Sequence, residues 1–290
     1  MPNEFLDKIV SHWKALDAVR AVGLIGSAAT GDPQAADVDL AAFVDQVPDE
    51  PTRRSLWEAP GSPIDADAVI YGANGDRVTL DGKVMELDYF SIPDLTRRID
   101  KVIVEGDTTP AFVVWCTPAH VPEAVCADIQ ACRILWDPED LIKHWKESVA
   151  EYPEKFRLKL LRFVLFEMRF KLKNMRRAAQ LRNIPFFHMA LSDLCFCLLR
   201  MLYSLNRVYF TQAKRAMGRL AEFPILPTDC RRRIEALVRS PLSEENLNDL
   251  FAAAKRLVQE TADLASQQGE SEKTAIAFGL ADWPDVEPLS

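Results

Sequence analysis

The sequence predicts an α+β fold: a small mixed β-sheet domain followed by an all-α helical bundle. Three observations carry this. Short apolar runs broken by Gly, Pro and Asn fill the first half, apolar residues three and four apart fill the second, and charge changes sign between them. Residues 1–150 hold 13 Lys/Arg against 26 Asp/Glu, net −13, whereas 151–290 hold 22 against 17, net +5. The expected division is 1–150, 151–268 and a polar tail, 269–290.

The elements follow in order. Phe5, Leu6, Ile9, Trp13 and Leu16 recur at helical spacing and lead into the apolar strand Ala21-Val22-Gly23-Leu24-Ile25. A second strand carries Asp37-Val38-Asp39-Leu40, and after Pro48 and Pro51 a helix begins around Arg53. Strands are expected near Ala68–Tyr71, Val78–Leu80 and Val84–Phe90, with turns at Asn74-Gly75 and Asp81-Gly82. Pro93–Lys101 and Val121–Ala131 read as helices around a strand at Phe112–Cys116, and Ile134-Leu135-Trp136 as a last strand before the boundary near 150. Beyond it, Leu158, Leu161, Leu165, Met168, Leu172, Met175 and Ala179 trace the core stripe of a long helix. Phe187, Leu191, Leu194, Leu198, Met201 and Leu205 repeat that rhythm, and shorter helices near 211–221, 227–239 and 243–266 complete an antiparallel bundle.

Composition narrows the function. With 290 residues, 48% hydrophobic and 27% charged, the chain has the material of a globular protein with two cores rather than a disordered or fibrous one. The start lacks a basic, apolar leader, and the apolar stretch Phe186–Leu205 is interrupted by His188, Asp193 and Arg200, a poor membrane span. A cytoplasmic protein without a membrane partner is expected. Six scattered cysteines and four histidines show no zinc spacing.

The chemistry concentrates at Gly26-Ser27 and Asp37-x-Asp39. Strand residues two apart share a face, so Asp37 and Asp39 can converge on one cation while Val38 and Leu40 pack inward. Carboxylate oxygens suit Mg²⁺, Gly26 lets phosphate oxygens approach the backbone, and Ser27 offers a hydroxyl. A P-loop is excluded because Asp32 and Pro33 stand where Lys and Ser/Thr are required. A dinucleotide fingerprint is excluded because Gly23 and Gly26 lack the middle glycine and no helix-opening pattern follows. On Val84-Met85-Glu86-Leu87-Asp88-Tyr89-Phe90, Glu86 and Asp88 share one face, so either can supply a third carboxylate.

These residues resemble the polymerase-beta-like nucleotidyltransferase superfamily, and within it the aminoglycoside nucleotidyltransferases that carry a helical second domain. The resemblance rests on Gly26, Ser27, Asp37, Asp39 and the later acidic strand; Ala36 stands where such proteins often have a serine. It implies a fold with a catalytic sheet domain, Mg²⁺, ATP as donor, and transfer of AMP to a hydroxyl of a small acceptor. Asp37, Asp39 and Glu86 or Asp88 would then be the metal and catalytic carboxylates. Lys214, in a segment similar to a phosphate-binding one, becomes a candidate nucleotide ligand with Tyr209 nearby, and Arg53 a weaker one. Asp193, in an apolar helix, and Arg200, two turns on, become candidates for acceptor binding. A non-catalytic nucleotide-binding or antitoxin-like protein is the second reading.

Two further patterns stand open. Lys155–Arg182 contains ten Lys/Arg and one acid, Glu167, which reads first as a solvated face and second as a surface steering an anion; an RNA end there, which would make the chain an RNA-end nucleotidyltransferase, is an alternative that is not favoured, and DNA is not expected. Arg182 and His188 have the spacing of a helical ribonuclease pair, but Pro185 lies between them. The sequence leaves the oligomeric state open.

Overall fold

The computed structural model describes residues 6–7, 10–11, 13–14, 16–31, 38–57, 64–70, 73–80, 83–113, 116–211 and 213–268. Its α+β architecture agrees with the expected class. The chain divides into two compact units: one built from the chain up to Val104 together with Val125–Glu151, the other from Glu105–Ala124 and the chain from Tyr152 on. The single boundary expected near 150 therefore misses an excursion, since Glu105–Ala124 clusters with the helical unit.

In the first unit β1 (Val19–Ile25) runs into a single helical turn, α1 (Gly26–Ala29), then β2 (Val38–Val44) and α2 (Glu50–Trp57). β3 (Ile64–Ile70), β4 (Ala73–Leu80) and β5 (Lys83–Ser91) follow, then α3 (Ile92–Asp100) with a π-helical turn, Lys101–Glu105. After the excursion come α4 (Ala124–Ala131), β8 (Arg133–Trp136) and α5 (Leu141–Ser148). The six strands are ordered β3-β4-β5-β2-β1-β8; β2 and β5 run parallel and the other neighbours antiparallel.

Register assigns the two faces. Leu24, Leu40 and Leu87 lie in line across the sheet, as do Val22, Ala42 and Tyr89; with Leu6, Val10 and Trp13 of the opening helix they form the main core. The opposite face carries Ile25, Asp39, Glu86 and Arg77 in one row and Gly23, Ala41, Asp88 and Gly75 in the next. A third row there holds Ala21, Phe43 and Phe90. Phe43 packs edge-on against Trp145 of α5 at 5.3 Å, and Trp145 donates to Thr96 of α3 at 3.2 Å. One end of this face is thus covered by apolar packing and the other carries the acids.

Two local expectations change. Asn74-Gly75 is inside β4, where Asn74 pairs with Tyr89 and Gly75 with Asp88, so ladder pairing prevails over the turn preference of that dipeptide. Asp81-Gly82 lies outside the described residues. The strand expected at Phe112–Cys116 is instead a hairpin of β6 (Ala111–Val113) and β7 (Cys116–His120), with Val113 opposite Cys116.

The second unit is dominated by α6 (Glu154–Gln180) and α7 (Ile184–Leu205), followed by α8 (Ala213–Arg219), a 3-10 turn (Leu220–Glu222), α9 (Cys230–Arg239) and α10 (Leu247–Gln267). The expected stripe of α7 is buried at all six positions, and that of α6 at every position except the partly exposed Leu158. The chain reverses at Arg182, whose φ is 51°, and Asn183 caps α7 by accepting from the Phe186 amide at 3.0 Å. Arg182 and His188 consequently sit on different elements. Ile184–Leu205 is long and apolar enough to cross a membrane, yet half of its most apolar stretch is buried inside the structure.

Candidate functional site

The site begins where β1 ends. Gly26 adopts φ +67°, a conformation that costs an L-residue about 1–2 kcal/mol. Space requires glycine as well, because a Cβ there would stand 1.7 Å from Oδ2 of Asp39. The absent side chain thus makes room for the Asp39 carboxylate. Ser27 is buried beside it, and Thr30 closes the turn by donating to the Ser27 carbonyl at 3.0 Å. A helix does follow Gly26, which the sequence pattern does not suggest, but it is one turn long.

Asp39 opens the acidic face and Asp88 lies one row further in. Val38 and Leu40 point to the opposite side and are buried, as the period-two pattern requires. Asp88 is 3% exposed, with Ala41 and Gly75 as its sheet neighbours, two residues that offer no side-chain hydrogen bond. Its Oδ1 is buried without a hydrogen-bond partner among the described residues. Burial first, then repulsion from Asp39, Glu86 and Asp128, pushes its carboxyl up to about 8.

Glu86 differs although it shares that face. It accepts from Arg77 at 2.9 Å, directly across the β4–β5 ladder, and both side chains reach solvent. The alternative left open by sequence parity is thereby separated: Glu86 has a cation partner, and Asp88 has three carboxylates around it. Asp128 of α4 joins this acidic neighbourhood, and no strand motif could have pointed to it. Asp37 lies outside the described residues. Among the described residues, no three Asp, Glu, His or Cys side chains group as a metal site. What is present, an acid against a glycine and a second acid with an orphaned buried oxygen, suits a cation's donor set chemically.

The other expected residues have surroundings of their own, each described within its unit. Arg53 is buried on the core side, 3.2 Å from Asp76 and 5.4 Å from the Tyr89 ring, so it cannot serve phosphate at the acids. Its ladder position explains this, because Asp76 pairs with Leu87 and so faces away from Glu86 and Asp88. Tyr209 is 1% exposed and packs on Tyr152 at 4.8 Å, which removes it from any ligand-facing surface. Asp193, expected to be buried, is half exposed and pairs with Lys171 at 3.1 Å. Arg200 is buried instead and holds Glu123 with two hydrogen bonds of 2.6 and 2.8 Å and the Thr108 carbonyl with a third of 3.0 Å. Asp193 and Arg200 therefore do not bracket a common site. Lys214 is in α8, and its side chain lies outside the described residues.

A family model described as a domain of unknown function (DUF4037) matches residues 119–214, a span that excludes Gly26, Asp39 and Asp88. No curated protein matches the chain. Among solved structures, a nucleotidyltransferase-like protein from Exiguobacterium sibiricum 255-15 is similar over 90% of this chain and 76% of its own, at 12% identity and a TM-score of 0.47. Likeness at that level carries no conclusion about chemistry.

Proposed function

We propose that this chain is a Mg²⁺-dependent nucleotidyltransferase that moves a nucleoside monophosphate, AMP from ATP, onto a hydroxyl of a small acceptor. The observation that carries the reading is the pair of acids on one sheet face: Asp39 filling the space that Gly26 leaves, and Asp88 buried with an unsatisfied oxygen.

Asp37 and Asp39 would hold the metal, which when bound neutralises triphosphate charge and polarises the phosphorus under attack. Gly26 and Ser27 bring backbone and hydroxyl close to the phosphates. Asp88 accepts the acceptor's proton at Oδ1, because a carboxyl raised toward the working pH is a matched general base. Glu86 stays with Arg77 and completes the electrostatic border. Lys214 remains a proposed phosphate ligand on the strength of its segment alone.

Pyrophosphate release from ATP, measured with and without Mg²⁺ across a panel of hydroxylated acceptors, tests this. Transfer should need Mg²⁺ and fall at least about a thousand-fold in Asp39→Asn, roughly 4 kcal/mol of barrier. Full Mg²⁺-dependent turnover in that variant would overturn the mechanism. Tight ATP binding without pyrophosphate from any acceptor would favour a nucleotide-binding regulator.

A further inference from the structure

The exposed edge of α6 has no use in the proposed chemistry. Counting along it, Arg162, Phe166, Phe170, Lys173 and Arg177 are all exposed, at steps of four, four, three and four, so they form one continuous stripe. At 1.5 Å per residue this stripe is about 22 Å long. Phe166 and Phe170 are 66% and 49% exposed, an unusual fate for neighbouring phenyl rings on a helix whose other face is core. Among the described residues none of these three cations pairs with a carboxylate: of the two acids in α6, Glu154 pairs with Arg157 and Glu167 faces Lys171, which also pairs with Asp193. One flank of α6 is neutralised and the other is left purely cationic and aromatic.

We propose that this stripe is a docking surface for single-stranded nucleic acid. The chemistry matches two features of that ligand at once: cations spaced by helical turns for successive phosphates, and two rings one turn apart for stacked bases. An acidic protein partner would use the cations and leave the rings unexplained. Net charge of the whole chain, −8, does not cancel the local field, because screening confines it to about 8–10 Å in physiological salt. The inference stands independently of the nucleotidyltransferase reading.

Fluorescence anisotropy of a labelled 12-nucleotide oligouridylate, with oligothymidylate beside it, on the full chain at 50–300 mM KCl provides the test. Three phosphate contacts predict a slope of about −2 for log affinity against log salt. Phe166→Ala with Phe170→Ala should weaken binding roughly ten-fold or more and keep that slope. Arg162→Gln with Lys173→Gln should flatten the slope by about 1.4. All four positions are exposed, so circular dichroism should be unchanged. Preference for uridylate over thymidylate assigns the surface to RNA, and equal binding to single strands in general. No binding at 50 mM KCl, binding indifferent to both double variants, or capture by phosphatidylserine vesicles in place of the oligonucleotides would overturn the proposal.

Discussion

Two buried carboxylates, one in each unit, meet opposite circumstances. Glu123 is completely buried and is held by the Arg200 guanidinium in a two-bond grip. Asp88 is as deeply buried, but its charged neighbours are Asp39, Glu86 and Asp128. The first arrangement satisfies an acid within the chain; the second leaves one whose charge nothing among the described residues compensates. Burial alone therefore does not distinguish a compensated acid from an uncompensated one, and the sign of the neighbours does.

The comparison can be broken from either side. Arg200→Leu leaves Glu123 buried without its partner and should cost about 3–5 kcal/mol, read as a lower midpoint in urea with unchanged slope. A loss below about 1 kcal/mol would mean that the pair is not the anchor the geometry describes. Asp88→Asn should act in the other direction. In the metal-free protein, the folded state keeps a proton on Asp88 up to about pH 8, whereas an unfolded aspartate releases it near 4. Wild-type stability on this account falls as pH rises from about 4 to about 8, because the folded state binds more protons across that window. The variant should match wild type near pH 4 and exceed it by a few kcal/mol above pH 8, at about 1.4 kcal/mol per pH unit. Thermal melts of both proteins across that range, without divalent ions, check this; equal pH profiles would remove Asp88 from the uncompensated class. The smallest effect is expected at Asp193→Asn, whose half-exposed pair with Lys171 should be worth under about 1 kcal/mol in urea unfolding.

How much the sequence disclosed depends on the range of each interaction. The β1 turn and the Asp39 strand are legible because a strand's side-chain period of two and a glycine turn are local properties. The helical stripe of α7 is legible for the same reason. Glu86 and Asp88 share parity, so only the neighbouring strand, which sets Arg77 beside Glu86, could separate them. The Glu123–Arg200 pair spans 77 positions, and nothing near Arg200 announces it. Asp193 misleads because an apolar helix still turns one edge to solvent, and Arg53 because a helix start does not reveal which side of the sheet it will cover. Asn74-Gly75 misleads because turn chemistry is a preference that cross-strand pairing can override.

Gly26 and Asp39 share one volume, and this has a consequence for variation. In a library that randomises both positions, their effects should be strongly non-additive: once position 26 acquires a side chain, the acid at 39 has already lost its place, and replacing it costs little more. Such a scan would see the two as a single inherited unit, thirteen residues apart in the chain and one residue in space.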